Sequence, residues 1–110
     1  MKNLEMSYLM DFYGNLLRDK QREIMQMYYQ EDLSLGEIAS EYGITRQGVR
    51  DNIVRAEKEL TNYESSLGLW KKFSRITENL AKIRALVEER SNDANSSEII
   101  KLIDEVENDI

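Results

Sequence analysis

The chain has 110 residues, a net charge of −6, and no cysteine, histidine or proline. That composition excludes disulfides, thiolate metal sites and histidine acid–base chemistry, and it leaves one domain, or a domain with an extension. Zero proline and five glycines point to an all-helical chain with short turns. Neither a reducing cytoplasm nor burial of roughly 60–70% of the unfolded surface conflicts with it. The start carries Glu5 and Asp11 and shows no signal-peptide cleavage site. The longest uncharged run, Ile24 to Gln30, falls far short of the ~20 apolar residues of a membrane span. A cytoplasmic location and no membrane span are therefore expected.

The first predicted helix covers residues 3–17, with Met6, Leu9, Tyr13 and Leu16 recurring at three and four and Gly14 weakening its end. Asp19 is expected to cap a second helix that places Ile24, Met25, Met27, Tyr28 and Tyr29 against the core. The tyrosine pair suits a core with one hydroxyl reaching water better than it suits base stacking. Glu31, Asp32 and Leu33 link this helix to the stretch that organises the chain.

That stretch reads as a helix-turn-helix. Ser34 followed three residues later by Glu37 is a capping-box pattern, and Ile38, Ala39 and Tyr42 give the short helix its apolar side. Gly43 ends it, because glycine accepts the left-handed backbone of a sharp turn. Ile44 plugs the turn and Thr45 caps the next helix. At about 100° per residue, Val49, Ile53, Ala56 and Leu60 fall within roughly 60° of one another and form a core face. Gln47, Asp51, Val54 and Lys58 lie opposite, flanked by Arg50 and Arg55, while Arg46 reaches forward from the first turn. A helix with this division suits a major groove. Gly48 costs about 0.5–1 kcal/mol in a helix, which predicts close approach of the preceding helix there.

Beyond Leu60 the helix is expected to fray through Thr61, Asn62 and Tyr63, with Ser65, Ser66 and Gly68 marking a break. The predicted division is a helix-turn-helix domain, 1–63, and a C-terminal helical extension, 64–110. The extension opens with a long helix ending near Arg90, whose apolar residues Leu69, Phe73, Ile76, Leu80, Ile83 and Val87 step by four and three as a heptad seam. Ser91 to Ser97 reads as a turn. Asn95 with Glu98 is expected to cap a last helix carrying Ile99, Ile103, Val106 and Ile110. The simplest arrangement is an antiparallel hairpin. The last helix is shorter than its partner, so part of the apolar stripe needs another cover, either a homodimer or residues 1–30.

Charge is unevenly placed. Residues 1–44 are net −4, 45–60 net +1, 61–90 net +2 and 91–110 net −5. The basic middle permits a phosphate-facing patch with weak, salt-sensitive binding. For residues 61–90 a plain solvated surface reads equally well. No glycine-rich phosphate loop, nucleophile elbow or calcium-loop spacing is present, so no cofactor, metal or enzyme activity is expected.

The stretch DKQREIMQMYYQEDLSLGEIASEYGITRQGVRDNIVRAEKEL resembles region four of bacterial sigma factors. With the opening LEMSYLMDFYGNLL and the helical tail included, the whole chain resembles the YlxM-like family of uncharacterised bacterial helix-turn-helix proteins. The resemblance implies an all-α fold with an N-terminal helix pair, the helix-turn-helix and a C-terminal hairpin. It implies DNA as partner, with Arg46, Gln47 and Asp51 at base edges and Arg50 on a phosphate; Thr45 and Arg55 are expected to belong to the same binding surface, Arg55 on a second phosphate. Asp51 departs from the uncharged amide often found there in sigma factors; a carboxylate repels phosphate but accepts a bond from cytosine. Because the family lies near genes of the signal recognition particle, the resemblance also implies a regulatory or accessory role in that pathway. The particle's RNA or its GTPase is then an alternative partner, and a scaffold for protein contacts alone is a third reading.

Overall fold

The computed structural model describes residues 3–90 and 94–110. Among them the chain is all-helical: α1 (Leu4–Tyr13), a 3-10 turn (Gly14–Leu16), α2 (Asp19–Tyr29), α3 (Leu35–Tyr42), α4 (Arg46–Leu67), α5 (Leu69–Arg90) and α6 (Ala94–Asp109). They form two compact units, the first ending at Trp70 and the second beginning at Lys71. No helix among the described residues is long and apolar enough to cross a membrane.

In the first unit α4 is the central strut, with α1, α2 and α3 all packed against it. Its Val49, Ile53, Ala56 and Leu60 are buried, as their shared face requires. Leu9, Met10 and Tyr13 from α1, Ile24 and Met25 from α2, and Ile38 and Ala39 from α3 complete the core with Leu17. Asn3 caps α1 by accepting the Glu5 N–H at 2.9 Å.

Several expected boundaries move. The first helix stops at Tyr13, not near residue 17, and tightens into the 3-10 turn, closed by the Leu17 N–H donating to the Gly14 carbonyl at 3.1 Å. The tighter turn carries Leu17 into the core, where it is buried. Asp19 is the first residue of α2 and not its cap. The capping position belongs to Arg18, which makes no side-chain cap bond, and Asp19 instead pairs with Arg22 at 3.1 Å. Asn95 likewise lies inside α6, because the helix already begins at Ala94. Residues 94–97 of the expected turn are therefore helical, and 91–93 lie outside the described residues.

The largest departure concerns the end of α4, which continues unfrayed through Thr61, Asn62 and Tyr63 to Leu67. The cause is a contact between residues far apart in sequence. The buried Tyr13 hydroxyl donates to the Glu64 carboxylate at 2.6 Å and accepts the Leu69 N–H at 3.0 Å. Glu64 also accepts the Trp70 N–H at 3.0 Å. One phenol and one carboxylate thereby hold the last turn of α4 and satisfy the first N–H groups of α5. Gly68, at φ 62°, supplies the left-handed break between the two helices. Trp70 then stacks on Tyr8, with ring centroids 5.8 Å apart. The expected division between residues 63 and 64 thus falls within α4.

In the second unit Arg84 of α5 donates to Asp104 at 2.5 Å and to Glu107 at 2.8 Å, tying α5 to α6. The expected heptad seam is only half buried. Phe73, Leu80 and Val87 are partly covered while Ile76 and Ile83 are exposed. On α6 only Ile103 of the four expected seam residues is buried.

Tyr13→Phe removes a donor to Glu64 and an acceptor for α5, so unfolding should cost about 1–3 kcal/mol less than in the parent chain. Thermal unfolding at neutral pH checks this. Burial, and then hydrogen bonding to Glu64, raises the Tyr13 phenol above its ordinary value. Burial and Glu23 push Tyr42 up to about 12, and Tyr29 is raised by burial and Glu57. The folded chain therefore keeps protons that the unfolded chain loses near pH ~10. Stability should be constant with respect to these groups below that pH and fall as pH rises through it. In an alkaline denaturation series, Tyr13→Phe should show a shallower fall.

Candidate nucleic-acid interface

The turn between α3 and α4 is built from local bonds. Ser34 accepts the Glu37 N–H at 3.1 Å and Glu37 accepts the Ser34 N–H at 3.0 Å, closing the capping box. The Ser34 N–H holds the Glu37 carboxyl below its ordinary value. Gly43 takes φ 64°, and the Ile44 N–H returns to the Ala39 carbonyl at 3.1 Å. Ile44 packs partly buried against the core. Thr45 then caps α4, its hydroxyl accepting the Gly48 N–H at 2.9 Å.

Gly48 is glycine for a different reason than close approach of α3. A Cβ there would stand 3.2 Å from the Thr45 hydroxyl, with Ile44 atoms next, so the crowding comes from the cap and the turn. The close approach between α3 and α4 occurs at Gly36. A Cβ at that position would lie 3.0 Å from Nε of Arg46. The Arg46 guanidinium therefore rests over the first turn of α3, although the residue as a whole stays exposed. Nothing in the sequence pattern singled out Gly36, because its neighbour is ten residues away and meets it only through the turn.

Thr45, Arg46, Gln47, Arg50, Asp51 and Arg55 are all exposed. Gln47 and Asp51 are brought together, with the Gln47 amide donating to Asp51 at 2.9 Å. This i,i+4 bond gives the Asp51 carboxylate a neutral donor on the exposed face of α4. It also leaves the Gln47 carbonyl and the second Asp51 oxygen as acceptors. Arg50 borders a depression with Tyr28, Leu35, Ile53, Val54 and Glu57. Glu57 is not Arg50's ion-pair partner; its carboxylate accepts the Tyr29 hydroxyl. Tyr28 and Tyr29 meet edge to face with centroids 5.1 Å apart, so both rings serve packing. Among the described residues, no carboxylate lies within ion-pair distance of Arg46, Arg50 or Arg55.

What the arrangement can do is present cations and amides on a rigid helix whose opposite face is locked into a core. Guanidinium groups are chemically suited to phosphate oxygens, and amide and carboxylate groups to the hydrogen-bonding edges of bases. Among the described residues no cluster of three or more His, Cys, Asp or Glu could hold a metal ion.

Residues 1–104 match the family described as "Putative helix-turn-helix protein, YlxM / p13 like". A UPF0122 protein of Halalkalibacterium halodurans is 43% identical over 106 residues, covering 96% of this chain and 94% of the relative. One from Shouchella clausii is 48% identical over 107 residues, covering 96% and 94%. One from a Thermoanaerobacter species is 47% identical over 107 residues, covering 97% and 92%. With a match of this extent, and with the cap, the left-handed glycine and the second cap all in place, the chain belongs to the UPF0122 family of YlxM/p13-like helix-turn-helix proteins.

Proposed function

We propose that the chain is a regulatory protein that binds double-stranded DNA in the cytoplasm by laying α4 in the major groove. The observation that carries this reading is the set of exposed guanidinium groups on α4 without carboxylate partners among the described residues. Arg46, Gln47 and Asp51 face base edges and Thr45 fixes the start of the helix. Arg50 and Arg55, about 140° apart around the helix axis, meet the sugar-phosphate walls on either side. The long-range field is unfavourable at net −6, so affinity is modest and depends on local contacts.

A second reading keeps the same fold but takes RNA of the signal recognition particle as the polyanion, in keeping with the family's gene neighbourhood. It is favoured by the exposed Lys72 and Arg75, which border a shallow depression with Ile76 and Asn79 outside the helix-turn-helix.

The second unit gives the reading its quaternary part. Ile76 and Ile83 are 44% exposed, Leu86 57% and Leu102 52%. Residues 71–90 carry six basic and three acidic groups, whereas 94–110 carry one basic and five acidic. Such a hairpin is complementary to a second copy of itself in charge as well as in apolar surface, and a dimer would present two α4 helices to two half-sites.

Arg50→Ala should weaken binding to every duplex and reduce the slope of log affinity against log salt by about one unit. An unchanged slope would show that Arg50 touches no phosphate. A gel shift at fixed salt with random duplex, the duplex upstream of its own gene, and the particle's RNA separates the readings. Retardation of duplex is expected; preference for the RNA would favour the second. Sedimentation at micromolar concentration should give twice the 12.9 kDa chain mass. Leu102→Lys should shift it to monomer, and a monomeric parent chain would end the dimer reading.

A further inference from the structure

Beside the Arg55 flank of α4 the start of α2 opens a cleft lined by Arg18, Lys20, Gln21, Asn52, Arg55 and Glu59. Three cations face one carboxylate there, in a chain that is acidic overall. None of the three has an ion-pair partner among the described residues, and Lys20 has only the Tyr42 ring, 5.9 Å from its ammonium. α2 is 11 residues long, and its capping residue, Arg18, makes no side-chain cap bond. The one acidic group of its first turn, Asp19, is turned to Arg22.

The deciding residue is Gln21. It is only 9% exposed, the one buried polar residue among those described, and it lines this cleft. Its side-chain amide makes no hydrogen bond to another described residue. Asn52 differs, since its amide is already donated to the Gly48 carbonyl at 2.9 Å and so acts as a wall. Among the described residues no buried side-chain nitrogen or oxygen lacks a partner, so the unbonded Gln21 amide is not sealed in the core but stays open to the cleft it lines, where water or a ligand can reach it. Unpaired cations, an uncapped helix start and an accessible amide donor on an otherwise buried residue together match the chemistry of an oxyanion.

We infer that this cleft seats one backbone phosphate of the bound duplex, on the groove wall opposite Arg50. The inference rests on the proposed groove-bound α4. A helix 10–12 Å across fills a groove about 12 Å wide, so each of its flanks meets a different strand. α2 stands beside the Arg55 flank, and its start reaches the strand on that side. The phosphate takes bonds from Gln21, the α2 start and the Arg18, Lys20 and Arg55 side chains. Glu59 keeps the cleft from holding more than one anion.

The test uses the full chain in two arms. In the first, Arg18→Ala/Lys20→Ala is compared with the parent by duplex binding across a salt series. Both positions are exposed, so the thermal midpoint should be unchanged while the salt slope falls by about 0.9, the value of one phosphate. In the second, the Gln21 side-chain amide is followed by nuclear magnetic resonance on adding duplex. Inorganic phosphate is added separately, against chloride at equal ionic strength. A reduced slope with a Gln21 shift on duplex bears the inference out. Duplex binding with slope and Gln21 unmoved overturns the cleft and leaves the proposed function standing. If no duplex binds, the groove reading fails and this inference with it; a Gln21 shift on inorganic phosphate alone would then mark an oxyanion seat for another ligand.

Discussion

Burial of one stripe on α4 is the constraint on which the rest depends. Val49, Ile53, Ala56 and Leu60 are at most 5% exposed, and three other helices rest on them. Each of the larger side chains contributes on the order of 1.5–3 kcal/mol by leaving water. Turning α4 about its axis would forfeit several of these contributions at once. The outward direction of Gln47, Asp51 and Lys58 is therefore a consequence of packing on the far side, and the surface is rigid because the core is.

An acidic chain with an unpaired cationic surface needs a reason why its own carboxylates do not neutralise it. Part of the answer lies with the tyrosines. Glu64 is bonded by Tyr13, Glu57 by Tyr29 and Glu23 by Tyr42, while Asp51 takes the Gln47 amide. Each neutral donor engages a carboxylate without consuming a cation, and charge-assisted bonds of this kind are stronger than neutral ones. Glu57 shows the effect most directly. It borders the same depression as Arg50, yet its bond goes to Tyr29.

The second unit follows a different rule. Its helices are amphipathic, but each has more apolar surface than the other covers, and Ile103 is the only residue described there as buried. The pairing through Arg84 sets which faces meet. Arg84 follows the seam residue Ile83 and is the more covered of the two, so the inner face is partly ionic and Ile83 stays in water.

Much of the helix-turn-helix is legible before any folding is considered. The Ser34–Glu37 box, left-handed Gly43, the Thr45 cap and the buried face of α4 are short-range matters, set within one or two turns by side-chain bonds, glycine's freedom and the 3.6-residue repeat. What only the tertiary structure decided depends on partners distant in the chain. Tyr13 reaches across to keep α4 helical to Leu67, Arg46 comes to lie on Gly36, and Arg18, Lys20 and Gln21 come to share a cleft with Arg55. Local pattern determines where a helix wants to start and which side is oily. It carries no record of which distant phenol will hold the helix's end or which distant cation will stand beside its flank, because those contacts exist only once the core has closed.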